Sequence, residues 1–200
     1  VVLALKRMHR KIGRAQEQAA PLTRTLLNQL LDSCDNSTIG LRNKVLLGLG
    51  YETMRRRSEL CAFRFEDISQ APNGKSIITL TFSKTDQYGA GKVIPISEEL
   101  LSLSNQWKTV VGNDGYILRA INRHGHISDS LNSSSVSSIL KKLQMSIKDA
   151  SSKQLLSGHS FRVGAALDLL EQGEPLEKIM LKGGWKTEAT AIKYLRSWHI

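Results

Sequence analysis

The spacing of apolar residues changes character once along this chain. In SIITLTFSKT, Ile78, Leu80 and Phe82 alternate with Thr79, Thr81 and Ser83. That period of two belongs to a strand with one buried face. Elsewhere the apolar residues recur at intervals of three and four, the period of an amphipathic helix. The pattern therefore predicts a mainly α fold carrying one small antiparallel β-sheet or hairpin.

Local signals divide the chain further. Thr23 stands where it can cap a helix bearing Leu26, Leu27, Leu30 and Leu31 on one side. A second helical pattern runs from Ile39 to Met54 and a short third one from Ser58 to Phe63. Asn73-Gly74 is a turn signal before the strand, Asp86 to Gly91 reads as a loop, and Lys92 to Ile96 as the returning strand. Ser97 followed by Glu98 and Glu99 marks a helix start, because acids suit the positive end of the helix dipole. After a serine-dense loop, Val136, Ile139, Leu140, Leu143 and Ile147 return to helical spacing. Helices are predicted over 160–172, 175–181 and 187–196, with stops at Gly173 and Gly183-Gly184. The first fourteen residues read as the end of a helix, and GRAQEQAAP as a linker, with a domain boundary near Ala20.

Composition restricts the function. With 40% hydrophobic residues among 200, the chain can bury a core and is neither disordered nor collagen-like. No stretch reaches the roughly 20 apolar residues of a membrane-spanning helix. Cys34 and Cys61 have neither a disulfide framework nor zinc spacing around them, which fits a reducing intracellular setting. Lys plus Arg number 28 against 18 Asp plus Glu, a net charge of +10. Such a surplus favours a polyanionic partner, nucleic acid ahead of anionic membrane. Lys6, Arg7, Arg10, Lys11 and Arg14 are suited to phosphates, as are Lys182 and Lys186 around Trp185.

Some residues carry chemistry beyond bulk charge. In SGHSFRVGAALDLL, His159 and Arg162 lie three apart at a helix start and outside the apolar set Val163, Ala166, Leu167 and Leu170. An imidazole and a guanidinium beside helix amides make a phosphate site, although H-x-x-R alone is also what a surface pair looks like. In MRRRSELCAF three arginines stand between a Leu-rich helix and Leu60, Cys61 and Phe63, so at least one should point inward, with Glu59 near enough to orient it. Lys84 lies at the edge of the hairpin loop, and Lys92 across that loop competes for any role given to it. Trp185 follows two glycines, and Tyr194 lies on the last helix. His124-Gly125-His126 has no cysteine or carboxylate cluster beside it and is not read as a metal site.

The order Arg56, Lys84, His159-x-x-Arg162, Trp185, Tyr194, together with IMLKGGW and KYLR, resembles the catalytic domain of the tyrosine recombinases, the phage integrase family. The resemblance covers roughly residues 22–196. It implies that Tyr194 attacks a scissile DNA phosphate to give a 3′-phosphotyrosyl link. His159 would act as base, Arg56 and Arg162 would hold the non-bridging oxygens, and Lys84 would protonate the departing 5′-oxygen. Trp185 would donate one hydrogen bond, and Glu59 would hold Arg56. It implies no metal, no ATP and no other cofactor. The implied partner is double-stranded DNA with an inverted-repeat site, bound by a homotetramer of the full-length enzyme, which would be cytoplasmic, nucleoid-associated and bacterial or encoded by a phage or plasmid, with no membrane involved. On this resemblance residues 1–20 are the end of an N-terminal DNA-binding domain plus a basic linker, and residues 21–200 the catalytic domain.

The chain departs from the family pattern in places. It ends six residues after Tyr194, where related enzymes continue into a helix that docks on a neighbouring protomer, so a monomer is expected for this piece of a longer enzyme. Thr53-Met54-Arg55 forms the turn where the family often has glycine. Two other readings are a type IB topoisomerase, with the same chemistry but strand relaxation, and a non-catalytic basic helical DNA-binding module. The latter has no need of Lys, His, two Arg, Trp and Tyr in this order.

Overall fold

A computed structural model describes residues 18–81, 91–147 and 154–195. The basic stretch 6–14 and Lys84 lie outside the described residues.

Helix α1 (Arg24–Ser33) buries Leu27 and Leu30, as their spacing predicts. Its start differs from expectation, because the Thr23 side chain makes no capping hydrogen bond. The Arg24 amide instead donates to Asp168 Oδ2 at 2.8 Å, and the Tyr51 hydroxyl donates to the same oxygen at 2.5 Å. The Arg24 guanidinium lies over the Tyr51 ring, 4.5 Å from its centre. A carboxylate does this better than a hydroxyl, since its charge meets the positive end of the helix. Burial, then the neighbouring carboxylate, pushes the Tyr51 phenol above its ordinary pKa. Asp168 thus joins three helices, and Asp168→Ala should cost about 2 kcal/mol through buried donors left unpaired. The melting temperature should fall by about 4–8 °C, with Asp168→Asn losing less. A change under about 1 °C in thermal unfolding would show that this contact contributes little.

Helix α2 (Thr38–Thr53) is the central element, buried on most sides through Val45, Leu46, Leu47 and Leu49. Each such leucine contributes about 1.5–3 kcal/mol of transfer energy. Ser37 caps it by accepting from the Gly40 amide. After the short α3 (Arg57–Leu60) and a 3-10 turn, the chain enters a three-stranded antiparallel sheet. It comprises β1 (Ile68–Gln70), β2 (Ser76–Leu80) and β3 (Lys92–Pro95). Ile78 pairs with Ile94 and Leu80 with Lys92, so the expected hairpin holds and β1 is added at its edge. Helix α3 is shorter than the 58–63 expectation, because the chain turns at Cys61 to bury Phe63 and Phe65.

Ser97 caps α4 (Glu98–Val111) and bonds to Glu52 at the end of α2. Trp107 on α4 is fully buried, its indole N–H donating to Ile117 O at 2.7 Å. Helix α5 (Ser135–Ser146) packs on α1. The last three helices, α6 (Ser160–Glu171), α7 (Leu176–Gly183) and α8 (Glu188–Leu195), pack on one another, and α6 also packs on α2. Gly164 makes one of these contacts possible, since a Cβ there would lie 1.8 Å from the Leu22 carbonyl oxygen. Backbone cannot yield like a flexible side chain, so the incoming chain is held on α6, where the Leu22 amide donates to Ser160 O at 3.0 Å. Cys34 and Cys61 are both free and buried. No described helix is long and apolar enough to cross a membrane.

Candidate active site

The ends of α2, α6, α7 and α8 converge on Arg162. One turn into α6, this side chain is 1% exposed. Its Nη1 donates to the carbonyl of Met54, the residue that closes α2. Met54 has φ 52°, the one positive φ at a non-glycine among the described residues. A left-handed residue with a Cβ costs about 1–2 kcal/mol.

Two aromatic rings lie against the same guanidinium. The Arg162 guanidinium carbon is 5.0 Å from the Trp185 ring centre and 5.5 Å from that of Tyr194. The two rings are 4.8 Å apart, centre to centre. Burial lowers the Arg162 pKa, the Tyr194 hydroxyl facing it offsets part of this, and Arg56 adds to the lowering. Arg162 Nε and the indole Nε1 of Trp185 are buried without a hydrogen-bond partner among the described residues. Two donors aimed into one cluster make it a receptor for an acceptor-rich group.

Arg56 stands at the rim of this cluster. Its amide donates to Glu59 Oε2 at 3.2 Å and its Nη1 to Oε1 at 2.8 Å. Glu59 is 6% exposed and the Arg56 side chain 37%, so a buried carboxylate holds a guanidinium that still reaches solvent. His159 precedes α6 and is exposed at the surface of the cluster. Partial desolvation, then the charges of Arg162, Arg57 and Arg56, push its pKa below the ordinary value. Its neutral form is therefore favoured at pH 7, as a proton acceptor requires.

Of the residues singled out from sequence, Arg56, Glu59, His159, Arg162, Trp185 and Tyr194 are brought together here. Lys182 is half-buried, and burial lowers its pKa, with Glu52, Arg24, Glu174 and Lys178 as its charged neighbours. Lys186 is exposed. His124 and His126 lie in an exposed turn closed by Asn122 Oδ1. Among the described residues no group of three or more His, Cys, Asp or Glu converges.

Two further residues reach the site: Arg55, which the sequence reading did not single out from its run, and Lys92, which it named only as a competitor of Lys84. Arg55 turns inward and is 3% exposed, whereas Arg56 stays at the rim. Its Nε donates to Thr53 O at 2.7 Å and its Nη2 to Lys182 O, so backbone carbonyls replace the carboxylate partner expected for a buried arginine. Lys92 lies on the inner face of β3 and donates to Leu181 O. That orientation is legible, because Lys92, Ile94 and Ile96 alternate with Val93 and Pro95.

A mainly helical domain with a small sheet, gathering two arginines, a histidine, a tryptophan and a tyrosine at one point, defines the class of the tyrosine recombinases. The sequence profile of the phage integrase family matches residues 21–199, and the chain belongs to that family. It is 29% identical over 215 residues to the recombinase cre of Escherichia phage P1, covering 98% of this chain and 63% of that protein. It is 30% identical over 207 residues to an integrase/recombinase xerD homolog of Selenomonas ruminantium, covering 98% of this chain and 60% of the relative. The chain thus spans less than two thirds of the length of these relatives. The fold is similar to that of the XerH site-specific recombinase bound to its palindromic difH substrate, with a TM-score of 0.67 and 16% identity, over 90% of this chain and 50% of that one.

Proposed function

We propose that this chain is the catalytic domain of a site-specific DNA recombinase that cleaves and rejoins duplex strands through a phosphotyrosine. The observation that carries the reading is the packing of Tyr194 and Trp185 on the buried guanidinium of Arg162. This puts a nucleophile, a cation and an indole donor within one phosphate's reach.

In the proposed step the Tyr194 oxygen bonds to phosphorus and the bond from phosphorus to the 5′-oxygen of the next nucleotide breaks. His159 takes the phenol proton. Lys84 gives a proton to the departing oxygen. A phenol ionises near pH 10 in water, so a neutral imidazole and clustered cations are what it needs to react at pH 7. Arg56 and Arg162 stabilise the charge that builds on the non-bridging oxygens, and Trp185 donates to one of them. The phosphotyrosyl bond conserves the energy of the broken one, so the 5′-hydroxyl can reverse the reaction without ATP.

The phage and bacterial sources of the two relatives support action on DNA in a bacterial cell. The XerH complex with a palindromic site supports an inverted-repeat target. Residues 1–20 are assigned to the end of a preceding DNA-binding domain and its linker, and the tetramer to the longer enzyme. Lys6, Arg7, Arg10, Lys11, Arg14, Lys182 and Lys186 are assigned to phosphates beyond the reacting one.

The test is covalent capture. Nicked duplexes from the DNA flanking the gene are incubated with the protein in EDTA and resolved under denaturing conditions. A covalent protein–DNA adduct is expected; cleavage that leaves no adduct and requires an added divalent metal would overturn the reading.

A further inference from the structure

We propose that Arg55 and Lys92 are positioning residues that grip the last turn of α7 and so hold Trp185 and Tyr194 against Arg162. The inference rests on the reading of Tyr194 as nucleophile.

The argument begins with the end of α7. The Trp185 amide donates to Met180 O at 3.0 Å and the Gly184 amide to Leu181 O at 3.2 Å. With Gly184 left-handed at φ 69°, this is the six-to-one and five-to-two pairing of a Schellman motif. Trp185 is therefore part of the helix stop, and its ring folds back so closely that a Cβ on Gly183 would lie 2.3 Å from it. The motif leaves the Lys182 carbonyl without an amide, at the negative end of the helix dipole. Arg55 Nη2 takes that carbonyl, and Lys92 Nζ takes the second lone pair of Leu181 O. Two cations, one from the turn after α2 and one from β3, thus grip two consecutive carbonyls of α7.

The grip is tied to the same turn that holds Arg162. Arg55 Nε donates to Thr53 O and Arg162 Nη1 to Met54 O, adjacent carbonyls at the end of α2. Space is filled as well, since a Cβ on Gly184 would lie 2.8 Å from Arg55 Nη1. Arg55 therefore spans from the arginine's support to the tryptophan's helix stop. Helix α8, with Tyr194, begins three residues after Trp185.

Retaining these cations has a cost. Burial first, then the charge of Arg162, brings the Arg55 pKa down to about 10, with Glu59 opposing and Arg56 adding to the lowering. Burial, then Arg55 and Arg162, brings Lys92 down to about 8, with Glu59 opposing. Like charges packed at one site are unfavourable without an anion, and they become favourable when a phosphate enters.

The experiment compares Arg55→Met, Arg55→Lys, Lys92→Met and Lys92→Arg with the unaltered protein. Single-turnover adduct formation and DNA affinity are measured on nicked duplex. Arg55→Met should slow adduct formation by about 10–100-fold with DNA affinity within about threefold, since small misplacements of reacting groups cost rate more than binding. Arg55→Lys and Lys92→Arg should recover part of the rate. Lys92→Met should keep its defect on a 5′-bridging phosphorothiolate, whose thiolate leaves without a proton donor because thiols ionise near about 8.5. Full rescue there would make Lys92 the proton donor and overturn its positioning role. Hydrogen exchange supplies a readout that needs no catalysis: in Arg55→Met the amides of residues 184–195 should exchange about tenfold faster or more while α2 stays protected. Unchanged exchange over 184–195 would overturn the grip, whether or not Tyr194 is the nucleophile. Absence of an adduct with the unaltered protein would instead count against the nucleophile reading and leave the exchange result to decide the grip.

Discussion

Tyr194→Phe should abolish covalent capture of DNA and leave DNA affinity within about threefold of the unaltered protein, because one hydroxyl is lost and no packing. The ring remains 4.8 Å from Trp185 and 5.5 Å from the Arg162 guanidinium carbon, so the aromatic contacts that build the cluster persist. What disappears is the atom that bonds to phosphorus, and no other described side chain in the cluster can replace it. Water attack would give a 5′-hydroxyl and a free 3′-phosphate without attached protein, which the same denaturing gel distinguishes. An adduct that survives in the phenylalanine variant would move the nucleophile elsewhere.

Arg162→Lys comes next in expected size, although it keeps the charge. It should slow adduct formation by about 10²–10³-fold, the effect of removing a preorganised donor from a developing oxyanion. A guanidinium is planar and presents several donors, so it can hold Met54 O and still offer Nε to a ligand while lying against two rings. An ammonium is a single point of charge that must abandon one of these tasks. Burial argues the same way, because at 1% exposure the lysine would be driven towards its neutral form. A rate within tenfold of the unaltered protein would show that charge alone is what the site uses at this position.

Much of this arrangement was legible in the residues because it is local. The leucines of α1, the cap at Ser97 and the alternation of β2 each report a contact made within a few positions. His159-x-x-Arg162 and the Gly-Gly-Trp stop are similarly short. The missing parts depend on partners far along the chain. Strand β1 has one apolar residue, Ile68, in three, and exists because β2 pairs with it. Asp168 lies in an apolar helix, and nothing near it in sequence reveals that Arg24 and Tyr51 converge on its oxygen. In the run Arg55-Arg56-Arg57 periodicity does not say which guanidinium turns inward. The expectation of at least one inward arginine, with Glu59 near enough to orient it, divided between two: Arg56 at the rim took the carboxylate, and Arg55 went inward to carbonyls offered by α2 and α7.

Met54 shows what this organisation demands of a single position. Its left-handed backbone is a conformation that glycine adopts without penalty. Its side chain, at 0% exposure, fills core volume that glycine would leave empty. Backbone and core therefore ask for different residues at position 54, a local frustration that no single amino acid resolves. Whichever demand evolution meets, the other is left as strain or as a cavity directly beneath Arg55 and Arg56. The turn that aims the arginines is thus poorly placed to improve by stepwise substitution, and gains in stability are more accessible elsewhere in the fold.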